Sequence, residues 1–126
     1  RLAWFNNHNN PKRPLFVFLQ GVSIAGWLSY QDFYGRPAYK HTSEISIYIH
    51  HSYRRMGLGK KMLGFGISKC NDLEIKTLLG FIFATNVASI KLFSGYGFKT
   101  WGQLDRVAEV FGNPVNLLIM GLRVAE

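Results

Sequence analysis

Apolar and polar positions recur along most of the chain, and the period of recurrence changes several times. The run PLFVFLQGVSIAGWLSYQDF reads as two strands, Leu15 to Leu19 and Ile24 to Phe33, reversing at Gln20-Gly21. A polar loop, YGRPAYKHTS, separates this hairpin from EISIYIHH, in which Ile45, Ile47 and Ile49 alternate with Ser46, Tyr48 and His50. Period two predicts a strand there. After YRRMGLGK the period lengthens: Leu58, Met62 and Phe65, and likewise Leu63, Ile67 and Cys70, fall at i, i+4 and i+7. That spacing predicts an amphipathic helix ending near Asn71. LLGFIFAT is short and almost unbroken apolar, as a strand covered on both faces would be. Asn86 is placed to cap a second helix from Val87 to about Ser94, with Ile90 and Phe93 inward and a stop at Gly95 or Gly97. FKTW and NLLIMGLRV predict closing strands. Strands on either side of two helices, without repeat or linker, predict one α/β domain over residues 1–126.

Composition narrows the class. With 48% hydrophobic residues the chain can bury one core. No run of eighteen apolar residues is free of charge, and no stretch has the order of a signal peptide, so neither a membrane span nor a membrane partner is expected. The first residue is not Met, and the natural N-terminus is expected upstream. Cys70 is the single cysteine, which excludes an intramolecular disulfide and suits a reducing cytoplasm. Its place among helical apolar positions predicts a buried structural thiol.

The formal charge of +8 asks for an anionic partner: nucleic acid, a membrane surface or a phosphorylated small molecule. Besides Lys12-Arg13, the basic pairs are Arg54-Arg55 and Lys60-Lys61, which bracket Gly57 and Gly59. Positive potential is thus concentrated at one site rather than along a stripe. A strand, a glycine turn and a helix in that order aim backbone N–H groups and the positive end of a helix dipole at one point, which is an anion site. A Walker A loop needs four residues between its glycines, and only one separates Gly57 from Gly59. A dinucleotide fingerprint needs glycine at position 62, which is Met62.

The remaining pattern, Arg54-x-x-Gly57-x-Gly59, resembles the loop of the GCN5-related N-acetyltransferase family, Gln/Arg-x-x-Gly-x-Gly/Ala. NVASIKLFSGYGF, Asn86 to Phe98, resembles that family's second segment. RPAYKHTSEISIYI and the tail WGQLDRVAEVFGN are similar to the branch that acetylates phosphinothricin, methionine sulfoximine and related amino acids. The resemblance runs from about Trp4 to Arg123. It implies an α/β fold of the α+β kind, with a mixed, mostly antiparallel sheet and flanking helices. It also implies a strand and a helix ahead of Trp4 that this sequence lacks, so the domain is expected to be N-terminally truncated.

The resemblance further implies acetyl-coenzyme A (acetyl-CoA) as cosubstrate, a small amino-acid-like amine as acceptor, no nucleic-acid partner, no metal, and a homodimer. The pantetheine arm would run along Ile47, Tyr48 and Ile49. The phosphates would sit on the loop formed by Arg54, Arg55, Met56, Gly57, Leu58, Gly59 and Lys60, with Gly59 leaving room for their approach. Asn86 would reach the arm from the second helix. Phe93 stands where many members carry the tyrosine that protonates the departing thiolate, and Tyr96 is the nearby phenol that could replace it. Arg36 and Tyr39 match the branch's Arg-x-Ala-Tyr/Phe and would hold the acceptor. The tail departs from the branch: Gly112-Asn113-Pro114-Val115-Asn116 stands where Gly-x-Trp/Tyr-x-Asp is common.

Acetyl transfer to nitrogen needs a neutral amine, and Glu44 is the only carboxylate between Asp32 and Asp72. It is the candidate general base, acting through a water. Deprotonating an α-amine of pKa about 7.7 at pH 7 costs about 1 kcal/mol, against about 4.6 for a lysine near 10.4. A single modest base therefore suits a small α-amine. His41, His50 and His51 have no Cys or carboxylate at ligand spacing, and adjacent histidines on a strand point to opposite faces, so no metal site is expected. Two alternatives stay open: a basic phosphate- or nucleic-acid-binding module without catalysis, and an acetyltransferase for protein or peptide amines.

Overall fold

The computed structural model of the chain describes residues 2–6 and 10–126. Seven strands, β1 (Leu2–Asn6), β2 (Leu15–Gln20), β3 (Ser23–Asp32), β4 (Thr42–Ile49), β5 (Thr77–Phe83), β6 (Lys99–Val110) and β7 (Asn113–Arg123), form one sheet in the order β1-β2-β3-β4-β5-β7-β6. Helix α1 (Leu58–Ser68) connects β4 to β5, and α2 (Val87–Gly95) connects β5 to β6. Only the β4/β5 pair is parallel; the others are antiparallel. A parallel pair needs a crossover, and α1 supplies it.

The β2–β3 hairpin turns at Gly21-Val22, one residue later than its sequence predicts, and α1 stops at Ser68, three residues before Asn71. Two differences are larger. β1 has no counterpart in the sequence reading, and FKTW proves to be the start of a strand of 12 residues. β6 is mostly exposed on both faces and carries irregularities at Thr100/Gly102 and Leu104/Ala108, so it has no sustained period two to read.

Alternation along β4 decides what each face of the sheet contains. Ser43, Ile45, Ile47 and Ile49 face the two helices, where Ile45 joins Leu28, Tyr30, Met62, Leu63, Leu78 and Met120 in the core. Glu44, Ser46 and Tyr48 face the other side. The Tyr30 hydroxyl donates to the Gly66 carbonyl at 2.5 Å and pins α1 to β3. Cys70 is buried with its thiol 3.5 Å from the same carbonyl, and burial pushes that thiol up to about 12. Such a thiol is inert, as the helical pattern predicts. Among the described residues, no helix is long and apolar enough to cross a membrane.

Candidate active site

The parallel register of β4 and β5 runs from Thr42–Thr77 to Glu44–Leu79 and ends there. Beyond it β4 stays paired with β3 as far as Ile49, and β5 with β7 as far as Phe83. The two strands therefore splay, leaving backbone edges that face each other across a cleft. A cavity of about 250 Å³ occupies this cleft, lined by Ile47, Phe81, Phe83, Asn86, Ser89 and Phe93. Phe93 is buried there against Phe98, with ring centroids 4.8 Å apart.

At the end of β4 the chain passes through a 3₁₀ turn, His51–Tyr53, into the glycine loop. Arg54 donates from Nε to the Ile49 carbonyl at 3.2 Å, which ties the loop to the strand. Arg55 and Gly57 both take positive φ, 63° and 76°. Gly57 is the N-cap of α1, supplies no side-chain acceptor, and is followed by no acidic residue in the first turn. The first amides of a helix lack intrahelical acceptors, so those of Leu58, Gly59 and Lys60 are available to a ligand. The second helix is different: the Asn86 side chain accepts from the Ser89 amide at 3.1 Å and closes its own N-terminus. The open space lies at Gly57, where an added Cβ would touch nothing. At Gly59 a Cβ would meet Leu92 at 3.1 Å and Ile49 at 3.2 Å, so its bare side is turned inward. The expectation that Gly59 leaves room for phosphate is corrected by that packing; it can serve a ligand only through its N–H.

Glu44 projects from β4 onto the face opposite the helices, half-buried between Gln31 and Leu79. Burial raises its carboxyl above the ordinary carboxylate range. Tyr48, two residues beyond Ser46 on the same face, stacks on Trp27 with centroids 5.7 Å apart. The Tyr96 hydroxyl donates to the Lys60 carbonyl at 2.6 Å, joining the end of α2 to the start of α1. Its proton is committed to that bond, and the phenol is not presented to the cleft.

Arg36 and Tyr39 line a separate cavity of about 360 Å³ with Arg13, Asp32, Lys40 and Glu74. The structure does not bring them into the β4/β5 cleft. Arg13, read from the sequence only as half of a basic pair, is 4% exposed. Its Nε stands 2.8 Å from Asp32, and it donates to the Lys12 and Lys40 carbonyls at 2.7 and 2.9 Å. It thereby fixes the loop that carries Arg36 and Tyr39. No local signal marks it, because Lys40 lies 27 residues away.

His50 and His51 do not sit on opposite faces of a strand. The chain leaves β4 before them, and their rings stack with centroids 4.3 Å apart. His50 Nδ1 accepts from the Ser52 amide at 3.2 Å. His41 Nδ1 lies 2.8 Å from the Glu74 carbonyl. Among the described residues, no group of three His, Cys, Asp or Glu side chains could hold a metal ion. Asn116, where the tail departs from the branch pattern, accepts from the Arg106 amide at 2.8 Å through Oδ1 and from the Ala84 amide at 2.9 Å through its carbonyl. It supports the β6 irregularity and the end of β5 together.

A cleft between splayed strands, ending at an uncapped helix N-terminus and bordered by a carboxylate, is the architecture of a transferase that takes a phosphorylated acyl carrier. Residues 1–98 match the model of the acetyltransferase (GNAT) family, and the chain belongs to that family. It is 40% identical over 122 residues to YwnH of Bacillus subtilis, provisionally named a phosphinothricin acetyltransferase, covering 96% of this chain and 74% of that protein. It is 29% identical over 126 residues to the L-methionine sulfoximine/L-methionine sulfone acetyltransferase of Salmonella typhimurium, covering 100% and 74%. The structure of yncA from Salmonella typhimurium, solved with its cofactor acetyl-CoA, superposes with a TM-score of 0.86 at 28% identity, covering 90% of this chain and 66% of that one.

Proposed function

We propose that the protein transfers the acetyl group of acetyl-CoA to the amine of a small amino-acid-like acceptor, of the kind named for the phosphinothricin and methionine sulfoximine relatives. The observation that carries this reading is the β4/β5 splay leading directly to the uncapped amides of α1. An extended arm with its own amides can pair with the open edge of Ile47 to Ile49 as an added strand would. The loop from Arg54 to Lys60 receives the phosphates, and the side-chain nitrogen of Asn86, whose oxygen caps α2, reaches toward the arm. These residues fit the carrier: the cleft offers open backbone edges among mixed apolar and polar side chains where the arm runs, and the helix end is cationic where the phosphates sit.

Acetyl-CoA supplies the acetyl group as a thioester. Glu44 accepts the proton of the acceptor ammonium through a water, and a β4 amide stabilises the carbonyl oxygen as charge grows on it. Phe93 cannot donate a proton and Tyr96 is committed elsewhere. A thiol of pKa about 8.5 is a fair leaving group without help, so the absence of a phenol costs little. The protein works in the cytoplasm as a homodimer, and light scattering in solution tests the dimer.

Titration with acetyl-CoA and, separately, with a random oligonucleotide at two salt concentrations tests the whole reading. Saturable acetyl-CoA binding with thiol release on adding free amino acids supports it. Tight oligonucleotide binding without thiol release sinks it. For the loop, Gly57→Val is expected to weaken acetyl-CoA binding tenfold or more, because a β-branched residue resists φ of 76° and puts a side chain into the open space beside the loop. Isothermal calorimetry on the folded variant checks this, and unchanged affinity would remove the loop from the site.

Arg36 enters the proposal as the cation for the acceptor carboxylate, on the loop that follows Gln31, the register partner of Glu44. Arg36→Lys is expected to lower acceptor kcat/KM by about 1.5–3 kcal/mol, the range for a hydrogen bond to a charged group. Decarboxylated analogues should be little affected. Equal losses for both acceptor types would confine Arg36 to holding its loop.

A further inference from the structure

Across the middle of the sheet one row of residues is in register: Gln31 with Glu44, Glu44 with Leu79, and Leu79 with Gly121. Gly80 and Met120, one residue along, face the helices, so Leu79 and Gly121 share the face of Glu44. Trp101 lies at the β6 irregularity beside this row. A Cβ added at Gly121 would overlap the six-membered ring of Trp101, so the indole lies on the bare backbone of Gly121. Leu79 is 7% exposed although it belongs to the face away from the helices, whereas Trp101 keeps 50% of its surface open. Two strand spacings of about 4.8 Å separate Glu44 from Gly121. An amine held at Glu44 therefore stands about 10 Å from the indole, a distance that an unbranched side chain of a few carbons can close.

We propose that Trp101 is a specificity-determining residue whose open indole face carries the apolar part of the acceptor's side chain. The inference rests on the reading that a small amino acid is acetylated at Glu44, and adds which amino acids are preferred. The Gln31 and Glu44 end of the row receives the amine; Leu79 and Trp101, short of Lys99 in register with Gly121, receive the side chain. Gly121 is part of the device, because only a residue without a side chain lets the indole lie flat on the sheet.

The test uses the whole chain with glycine, alanine, 2-aminobutyrate, norvaline and norleucine as acceptors. Each buried methylene is worth about fourfold, so norleucine should exceed glycine in kcat/KM by about 15-fold or more, the equivalent of two methylenes. In Trp101→Ala that ratio should collapse toward unity, with acetyl-CoA affinity kept. Gly121→Ala, which retains the indole but lifts it from the sheet, should reduce the ratio as well. In Trp4→Phe/Trp27→Phe, where Trp101 is the only indole, norleucine should shift the emission and glycine should not.

A parallel loss for all five acceptors in Trp101→Ala, or an emission unmoved by norleucine, overturns the role of Trp101. Turnover of glycine with no gradient in the parent overturns it too, while leaving amino-acid acetylation in place. Acetyl-CoA binding without thiol release for any member of the series overturns both.

Discussion

Glu44→Gln is expected to lower acetyl transfer by about a hundredfold or more near pH 7, the range for loss of a positioned general base. The reason is geometric before it is electrostatic: Glu44 faces away from the helices, beside the point where β4 and β5 begin to splay. Its burial adds a pH signature. Desolvation raises the carboxyl above its ordinary range, so the basic form should be lost at a higher pH than for an exposed glutamate. In the parent, kcat/KM should therefore fall as pH drops through that raised value. The variant should lack this limb and recover part of its rate at higher pH, as the amine deprotonates unaided.

Stability separates this effect from unfolding. A carboxyl raised on folding stabilises the fold below its unfolded pKa, and that contribution is lost as pH rises through the folded value. At neutral pH the charged form of Glu44 is a cost to folding, so Glu44→Gln should melt no lower than the parent. A variant that loses activity together with several degrees of Tm, or one whose pH profile matches the parent's, would leave Glu44 as a structural residue.

The largest loss of stability is expected from Gly26→Ala. Gly26 pairs with Ile49 in the β3/β4 ladder beneath α1. A Cβ there would overlap the Tyr48 carbonyl oxygen and stand 3.2 Å from both the Ile49 Cα and the Met62 methyl. A flexible side chain could move aside, but a strand carbonyl cannot without opening the ladder. The cost should exceed about 3 kcal/mol, the upper end of ordinary overpacking. Chemical denaturation checks it, and a loss below 1 kcal/mol would mean that β3 and β4 sit further apart here. Because Tyr48 and Ile49 form the cleft edge, acetyl-CoA binding should fall with stability in any fraction that folds.

Part of the candidate site's local structure was legible because its signals are local. The glycine loop was identified by spacing, and its N-cap at Gly57 shows the positive φ that glycine tolerates. Asn86 was legible as a cap, and it caps. Gly59 was misread because spacing alone does not tell which side of a residue is turned inward, and the neighbours that decide it, Leu92 and Ile49, come from other elements. The histidine pair was misjudged for a related reason: alternation holds only while the strand lasts, and β4 ends at Ile49.

By itself the sequence determined the elements whose period is sustained: the alternating isoleucines of β4, the i, i+4, i+7 stripes of α1, and the apolar run of β5. Each reflects burial of one face or both, which composition at fixed spacing records directly. It also marked the glycine turn ahead of α1 and the lone carboxylate on the strand before it. Tertiary structure alone decided β1 and the length of β6, because a short edge strand and a mostly exposed strand with irregular register leave little periodic pattern. It decided the splay of β4 from β5, which depends on where pairing between segments more than thirty residues apart stops. It also decided the burial of Arg13 under the Arg36 loop and the seating of Trp101 on Gly121, since these contacts join strands and loops that only the folded sheet brings together.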